Sequence, residues 1–370
     1  SGSRAFWEVV NAESFPSPAR HGSMKQIFYV VLLLPNFLAA WALLARKLSG
    51  RSSDAVLGAG NTSSSEQAKT MRHVVYTADS KVFGALLRSM QSLSLHLSAP
   101  ERCRIHLIVP QADLDQASKL VQCFRAKVQA TPERQQKPVP EVVLHKVRPM
   151  PIAADYRDRS DLQGHETAYA RLFLPEYLPD VSRAVYLDTD TLLRGDLAPL
   201  FERPMSHALA AVEEGTSFND LWSKWYSGLA QHVLDPNQSI FNDGVLVLDI
   251  QRWKAENISA DIQSWAVNSG AAVDDQLLLN LEFQVTKNFD RLPHEWNDFR
   301  VRPTGWPAFG WSDEMRPEDE LSHAQILHWT GPKPWEIPDP QMKQEWMDQY
   351  SNLWEVTGFN GSSKCDAALS

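Results

Sequence analysis

The sequence predicts an α/β domain: a mostly parallel, twisted, Rossmann-like sheet with helices on both faces, preceded by one apolar N-terminal helix. Three observations carry this. Short apolar runs of strand length alternate with longer runs whose apolar residues recur at helical spacing. The strand-like runs end in polar residues, and no internal repeat interrupts the alternation.

The first such run, His73 to Asp79 ("HVVYTAD"), is apolar and then polar, as a buried strand opening onto a cleft should be. Val82 to Leu97 carries Leu86, Leu87, Met90, Leu93 and Leu97 on one helical face. "CRIHLIVP" (Cys103–Pro110) reads as a second strand, and "DLDQASKLVQCFRAKV" (Asp113–Val128) as an amphipathic helix. "EVVLHKV" (Glu141–Val147) reads as a third strand. Further strands are expected at "AVYL" (Ala184–Leu187), "ALAAVEEG" (Ala208–Gly215) and "GVLVLDIQRW" (Gly244–Trp253), with a helix at "DDQLLLNLEF" (Asp274–Phe283). In sheets of this kind ligands bind beyond the carboxyl ends of the strands, which places the polar residues after each run at the cleft.

Upstream, Ile27 to Ala45 is a 19-residue run without a charge, with Lys25 before it and Arg46, Lys47 and Arg51 after it. A helix of ~20 residues covers the hydrocarbon of a bilayer, so residues 27–45 are expected as a transmembrane signal anchor. Arg46-Lys47 is a poor cleavage site, which argues against a removed leader. Residues 1–26 form an N-terminal tail, with Met24 as a natural start. Residues 46–71, rich in Ser, Gly, Ala and Thr, read as a flexible stem, 72–350 as the folded domain and 351–370 as a C-terminal tail. Asn61, Asn237, Asn257 and Asn360 each open an Asn-x-Ser/Thr sequon, and all four follow the apolar run. Together they point to a single-pass type II protein of the Golgi or ER membrane with a lumenal domain.

With a net charge of -9, the chain has no electrostatic reason to bind nucleic acid. Its three cysteines are too few for a disulfide scaffold. Cys103 and Cys123 lie in a strand and the helix that follows it; an oxidising compartment would bridge them, and two free buried thiols are the other reading. The late aromatics Trp296, Trp306, Phe309, Trp311, Trp329 and Trp335 serve core packing, or a few of them line a sugar cleft.

The chemistry concentrates at Ala184 to Leu193, "AVYLDTDTLL", where Asp188 and Asp190 follow a buried run. Two carboxylates a few ångströms apart repel unless a proton or a metal lies between them. Hard oxygen ligands suit Mg²⁺ or Mn²⁺, with a phosphate on the ion's other side. A turn held by Asx-type side-chain bonds is the alternative.

Here the chain resembles the retaining glycosyltransferases of family 8. The resemblance runs through "TAYARLFLPEYLPDVSRAVYLDTDTLLRGDLAPLFE" (Thr167–Glu202), "FNDGVLVLDIQRW" (Phe241–Trp253), "DDQLLLN" (Asp274–Asn280), "RLPHEWN" (Arg291–Asn297) and "HWTGPKPW" (His328–Trp335), with "VVYTAD" at the start. It implies a GT-A fold, a UDP-sugar donor, Mn²⁺ (or Mg²⁺) and transfer with retention of anomeric configuration to a glycan, glycoprotein or glycolipid hydroxyl. Asp188, Asp190 and His328 match the metal ligands. Thr77, Asp79, Asp188, Thr189, Gly331 and Lys333 match positions that hold UDP. Arg171, Asn242, Asp275 and Gln276 match positions that contact the donor sugar, and Gln276, Asp275, Lys333 and Arg171 are the catalytic candidates. Either Asp274 or Asp275 also caps the helix that they open. Only Pro332 separates Gly331 from Lys333, where two residues commonly do so in the family.

Retention would follow from front-face attack within an ion pair, since the uncharged Gln276 is a weak nucleophile for double displacement. Two rival readings share these residues. One is a UDP-sugar binder that has lost turnover, consistent with the shortened Gly331-Pro332-Lys333 spacing. The other is a haloacid-dehalogenase phosphatase, in which Asp188 would be nucleophile and Asp190 acid/base. Donor and acceptor identities are not encoded in spacing, though Val212 to Tyr226, with Glu213, Glu214, Trp222 and Trp225, reads as an acceptor-side loop or a surface helix.

Overall fold

The computed structural model describes residues 71–131, 137–148, 166–221, 235, 237–268, 274–286, 289–299 and 323–330. The expected anchor and the stem up to residue 70 lie outside them, as do Gly331, Lys333, Trp222, Trp225 and the sequons at Asn61 and Asn360. Among the described residues no helix is long and apolar enough to cross a membrane.

Nine strands are described: β1 (Arg72–Thr77), β2 (Cys103–Val109), β3 (Glu141–Lys146), β4 (Arg183–Leu187), β5 (Thr191–Leu193), β6 (Leu209–Ser217), β7 (Ser239–Asp249), β8 (Asp290–Arg291) and β9 (Ile326–His328). Seven form one sheet in the order β3-β2-β1-β4-β7-β6-β8, and β5 pairs with β9 in a second, two-stranded sheet. The first four strands are mutually parallel; β7 then runs antiparallel to both β4 and β6, and β6 is parallel to β8. The polarity of the sheet therefore switches at the β4–β7 pair, where Asp188 leaves β4.

Four helices longer than ten residues are described: α1 (Phe83–His96), α2 (Leu114–Ala130), α3 (Ile258–Asn268) and α4 (Asp275–Thr286). α1 and α2 bury Phe83, Leu86, Met90, Leu120 and Phe124 in one cluster with Val74, Tyr76, Ile105, Leu107, Val185 and Leu187 of the sheet. The alternation of strand side chains turns Tyr186 of β4 to the other face, toward the site. There α4 lies on β7, with the Phe283 ring 6.2 Å from that of Phe241 and 5.8 Å from that of Trp253. α1 also buries Ser89 and Ser92, an apparent breach of its apolar face. Their hydroxyls are spent: Ser89 Oγ meets Thr191 Oγ1 at 2.9 Å, and Ser92 Oγ accepts from Leu193 N at 2.9 Å, which fastens β5 to the helix.

Two expectations need correction. The run Gly244–Trp253 is not strand to its end, because β7 stops at Asp249 and Ile250–Ala255 is helical. Asp249 caps that turn by accepting from Arg252 N at 2.9 Å, a strong local signal that the apolar run conceals. Nor is Cys103 bridged to Cys123. Cys103 is a free thiol, 1% exposed, whose burial pushes its pKa up to about 12, so little thiolate exists to attack a disulfide. Cys123 is 8% exposed and packs in the same core cluster. The aromatics Trp296 and Trp329 serve packing, being 8% and 0% exposed.

A row of histidines crosses β1, β2 and β3. His73 Nδ1 lies 2.9 Å from His106 Nε2, and His106 Nδ1 lies 2.8 Å from His145 Nε2. Each link holds one proton, so the row suits three neutral rings. Burial lowers all three pKa values; His106 falls to about 3, helped by His145, His73 and Arg104. A depressed histidine pKa contributes stability that is full above the unfolded value of 6.5 and is lost as pH falls below it toward the folded value. Urea midpoints are therefore expected to fall more steeply below about pH 6.5 in the wild type than in His106→Gln. Parallel acid limbs would refute the link.

Candidate active site

Asp188 and Asp190 occupy the turn between β4 and β5. The turn is held by Asp188 N donating to Gly244 O (2.8 Å) and by Thr191 Oγ1 donating to Asp188 O (2.8 Å). Antiparallel pairing of β5 with β9 sets Thr191 opposite His328, and Trp329 N donates to Asp190 O at 3.1 Å. That strand pair brings a distant histidine to the aspartates. His328 Nε2 lies 3.3 Å from Asp190 Oδ1 and 3.7 Å from Asp188 Oδ2. One ligand atom from each of Asp188, Asp190 and His328 lies within 4.8 Å of the others, and Asp190 and His328 are buried.

The remaining groups around Asp188 form a charge network. Tyr186 Oη donates to Asp188 Oδ1 at 2.7 Å, and Arg171 Nη2 pairs with the same oxygen at 2.9 Å. Both hold Oδ1, which leaves Oδ2 on the side of His328. Thr77 Oγ1 lies 3.0 Å from Tyr186 Oη; because the phenol proton goes to Asp188, the threonine is the donor in that link. Arg171 also pairs with Asp243 (3.0 Å) and Asp275 (2.8 Å), and its guanidinium stands 4.6 Å from the centroid of the Tyr186 ring. Burial alone would lower its pKa, but Asp188, Asp243 and Asp275 outweigh that and raise it. Burial raises the pKa of Asp243, against the pull of Arg171, and raises Asp274 to about 6, with Asp275 adding to the shift. One guanidinium thus faces three carboxylates, and the excess of buried negative charge favours a further cation. A divalent ion fits this O,O,N donor set and would be held by Asp188, Asp190 and His328.

Beside this network lies a set of amides. Asn242, on β7, donates from Nδ2 to Glu214 Oε1 at 2.8 Å, and Gln276, in the first turn of α4, donates to the same oxygen at 3.2 Å. Asp243 N donates to Gln276 Oε1 at 3.5 Å. Asp274 caps α4, accepting from Leu277 N at 2.6 Å, which leaves Asp275 to face Arg171. Asp79 caps the short turn after β1, accepting from Lys81 N at 2.9 Å.

The structure therefore gathers Arg171, Asp188, Asp190, Asn242, Asp275, Gln276 and His328 into one region. It engages Arg171 with three carboxylates and with the backbone carbonyls of Ala168 and Asp243, each at 3.2 Å. The expected acceptor-side loop is corrected: Val212–Ser217 belongs to β6, where Glu213 turns outward to Arg291 at 2.7 Å and Gly215 is exposed, and Phe218–Leu221 is a short helical turn. Glu214 points inward, 8% exposed, where burial lifts its pKa to about 7 against the hydrogen bonds of Asn242 and Gln276. Tyr186, Asp243 and Asn297 are the site residues that sequence reasoning missed, and Glu214, expected on an acceptor-side loop, lies instead against Asn242 and Gln276. For Glu214 a signal existed: "LAAVEE" repeats the apolar-run-then-carboxylates pattern of "AVYLDTD".

Gly244 permits this packing. A Cβ there would stand 2.6 Å from His328 Nδ1 and 2.8 Å from Nε2. Gly244→Ala is expected to weaken cation binding at least roughly tenfold by displacing the ring, with the fold retained. Calorimetric titration with Mn²⁺ checks this, and unchanged affinity would refute it.

A mostly parallel sheet with this order and strand-end carboxylates is the GT-A-like α/β fold, the scaffold of nucleotide-sugar-dependent transferases. The sequence profile of Glycosyl transferase family 8 matches residues 73–337, and the chain belongs to that family. Among curated relatives, "Glycosyltransferase 8 domain-containing protein 1" of Danio rerio is 25% identical over 207 residues, 48% of this chain and 54% of that protein. "Probable galacturonosyltransferase 14" of Arabidopsis thaliana is 25% identical over 229 residues, 56% of this chain and 41% of that protein. The chain spans about half the length of the curated relatives it matches. Among solved structures, the bifunctional glycosyltransferase WbbM aligns with a TM-score of 0.54 at 17% identity over 81% of this chain and 51% of that one. The galactosyltransferase LgtC, solved with donor and acceptor sugar analogues, aligns with a TM-score of 0.50 at 20% identity over 80% of this chain and all of the other. At such identities the structures speak for the fold. The family removes the phosphatase reading, in which β4 would be the first strand of its domain rather than the fourth.

Proposed function

We propose that the domain is a retaining glycosyltransferase that moves a hexosyl or pentosyl group from a UDP-sugar to a hydroxyl of a glycan, glycoprotein or glycolipid, giving an α-linkage. The observation that carries this reading is the convergence of Asp188, Asp190 and His328 beneath a buried excess of carboxylate. When bound there, Mn²⁺ or Mg²⁺ supplies Lewis-acid stabilisation of the charge that builds on the departing diphosphate. The chain's own residues do the rest. Arg171 holds Asp188 and Asp275 in place, Thr77 and Tyr186 fix the inner oxygen of Asp188, and Asn242, Asp275 and Gln276 face the transferred sugar. Lys333 and Gly331 serve the diphosphate, and Asp79 and Thr189 the nucleoside side. Gln276 is an uncharged amide hydrogen-bonded to Glu214, a poor nucleophile, so the acceptor hydroxyl attacks from the face that the leaving group departs. We further propose that residues 27–45 anchor the domain in the Golgi or ER membrane, facing the lumen; protection of the domain from protease in sealed microsomes tests this.

The activity is tested by incubating the protein with a panel of UDP-sugars and Mn²⁺, with and without chelator, and following UDP release. Chelator-sensitive release from one or two donors is the expected result. Metal-dependent binding of UDP-sugars without any release would support instead a binder that has lost turnover.

A further inference from the structure

Asn297 is 0% exposed and lies within the site, yet no role in holding ligand follows from its position. It is placed by its neighbour Asp298, whose backbone N donates to Ile326 O (2.9 Å) and whose carbonyl accepts from His328 N (3.0 Å). Which way each buried amide points can be worked out from one group that can only donate. Gly244 N–H donates to Asn242 at 2.9 Å, so the atom that it meets is the oxygen Oδ1. The same oxygen faces the Asn297 amide at 2.8 Å, so Asn297 presents its nitrogen there. Its oxygen is then the atom 3.0 Å from His328 Nδ1, and that ring nitrogen must carry the proton. At the other end, Asn242 Nδ2 donates to Glu214 Oε1 at 2.8 Å, the same oxygen that accepts from Gln276 Nε2 at 3.2 Å, so this oxygen is the accepting end of the chain. Every link agrees in direction with the next.

We infer that Asn297 and Asn242 are positioning residues for His328, with Glu214 as the accepting end of the relay: together they fix the ring as the Nδ1–H tautomer and leave Nε2 for a divalent cation. Nε2 is the nitrogen that faces Asp190 and Asp188. A lone pair set against two carboxylates is unfavourable until a cation lies between them, so the relay primes the site for metal. The carboxylate oxygen of Glu214 that ends the relay also holds Gln276, which ties the cation ligand to an amide of the proposed sugar subsite.

The inference rests on the proposed cation site, but its first test does not. In metal-free protein at about pH 9, where a free imidazole is neutral, ring nitrogen–proton correlations should show His328 as the Nδ1–H tautomer in the wild type and as a mixture in Asn297→Leu. An Nε2–H wild type, or an unchanged tautomer in Asn297→Leu, overturns the inference. Mn²⁺ alone, titrated calorimetrically, should bind Asn297→Leu about 10- to 100-fold more weakly than the wild type. Asn297→Asp, which keeps an acceptor for Nδ1–H, should recover most of that loss. If Asn297→Leu does not fold, Glu214→Gln takes its place: near in shape, it should weaken Mn²⁺ roughly three- to tenfold and loosen the tautomer. Unchanged tautomer and affinity there overturn the inference. A wild type that shows Nδ1–H yet binds no Mn²⁺ overturns the proposed function instead, while the tautomers of the variants still decide the relay.

Discussion

Asp190→Asn is expected to lower metal-dependent sugar transfer roughly 10³-fold, equivalent to about 4 kcal/mol of lost transition-state stabilisation. The substitution keeps shape and one oxygen, so it removes little besides charge. Asp190 has no contact with the Arg171 guanidinium among its three carboxylate partners, and the folded state should survive. Kinetics at saturating donor, paired with a Mn²⁺ titration, separate loss of the ion from loss of chemistry. Transfer at more than a tenth of the wild-type rate, with the ion still bound, would remove Asp190 from the ligand set. Asp188→Asn should cost both activity and stability, because Asp188 serves the cation side and Arg171 together.

Arg171→Met should destabilise the fold by ~3–5 kcal/mol, the range for leaving buried charge without its partner. Three carboxylates depend on that guanidinium, and its side chain is only 8% exposed. Side-chain exposures of 22% for Asp188 and 16% for Asp275 give water some access, which favours the lower end. Arg171→Lys should fall between the two, since one ammonium cannot replace three nitrogens aimed at three partners. Burial raises the pKa of Asp243 in the folded protein, and without Arg171 its charged form loses its main support. The deficit should therefore shrink as pH falls and that carboxyl takes a proton. Denaturant midpoints measured across pH check both statements; a loss below about 1 kcal/mol at neutral pH would mean that the network is hydrated.

Much of this was legible before any coordinates. The alternation of runs from His73 to Leu187 predicts β1, α1, β2, α2, β3 and β4 because each element is amphipathic or buried in its own period, a local property. Asp188 and Asp190 are legible for the same reason, as charges that a strand end must answer for. Glu214 reads as part of a polar surface stretch because Glu213, Gly215 and Thr216 surround it. Its burial depends on the strand alternation that sends Glu213 to Arg291 and its neighbour inward. Asn297 is harder still: its role exists only once β9 has docked, and no local pattern encodes a contact between an amide that ends the turn His294–Trp296 and a ring on a later strand. Arg171 was legible as a site residue by family resemblance, but not as a hub, since its three partners lie on three separate segments. The capping of Ile250–Ala255 by Asp249 shows the opposite case, a local signal outvoted by the apolar run before it.

The β5–β9 pair also has a bearing on time. A chain is made from its N-terminus, and domains gather their early segments first. Both aspartates and the whole parallel half of the sheet exist well before β9 emerges, and His328 is the last residue of that strand. A nascent or truncated protein therefore carries the acidic pair without its histidine, and the proposed cation site closes only when β9, the last of the described strands, has been delivered. Completion of the proposed site thus requires that every strand of the seven-stranded sheet has already been synthesised.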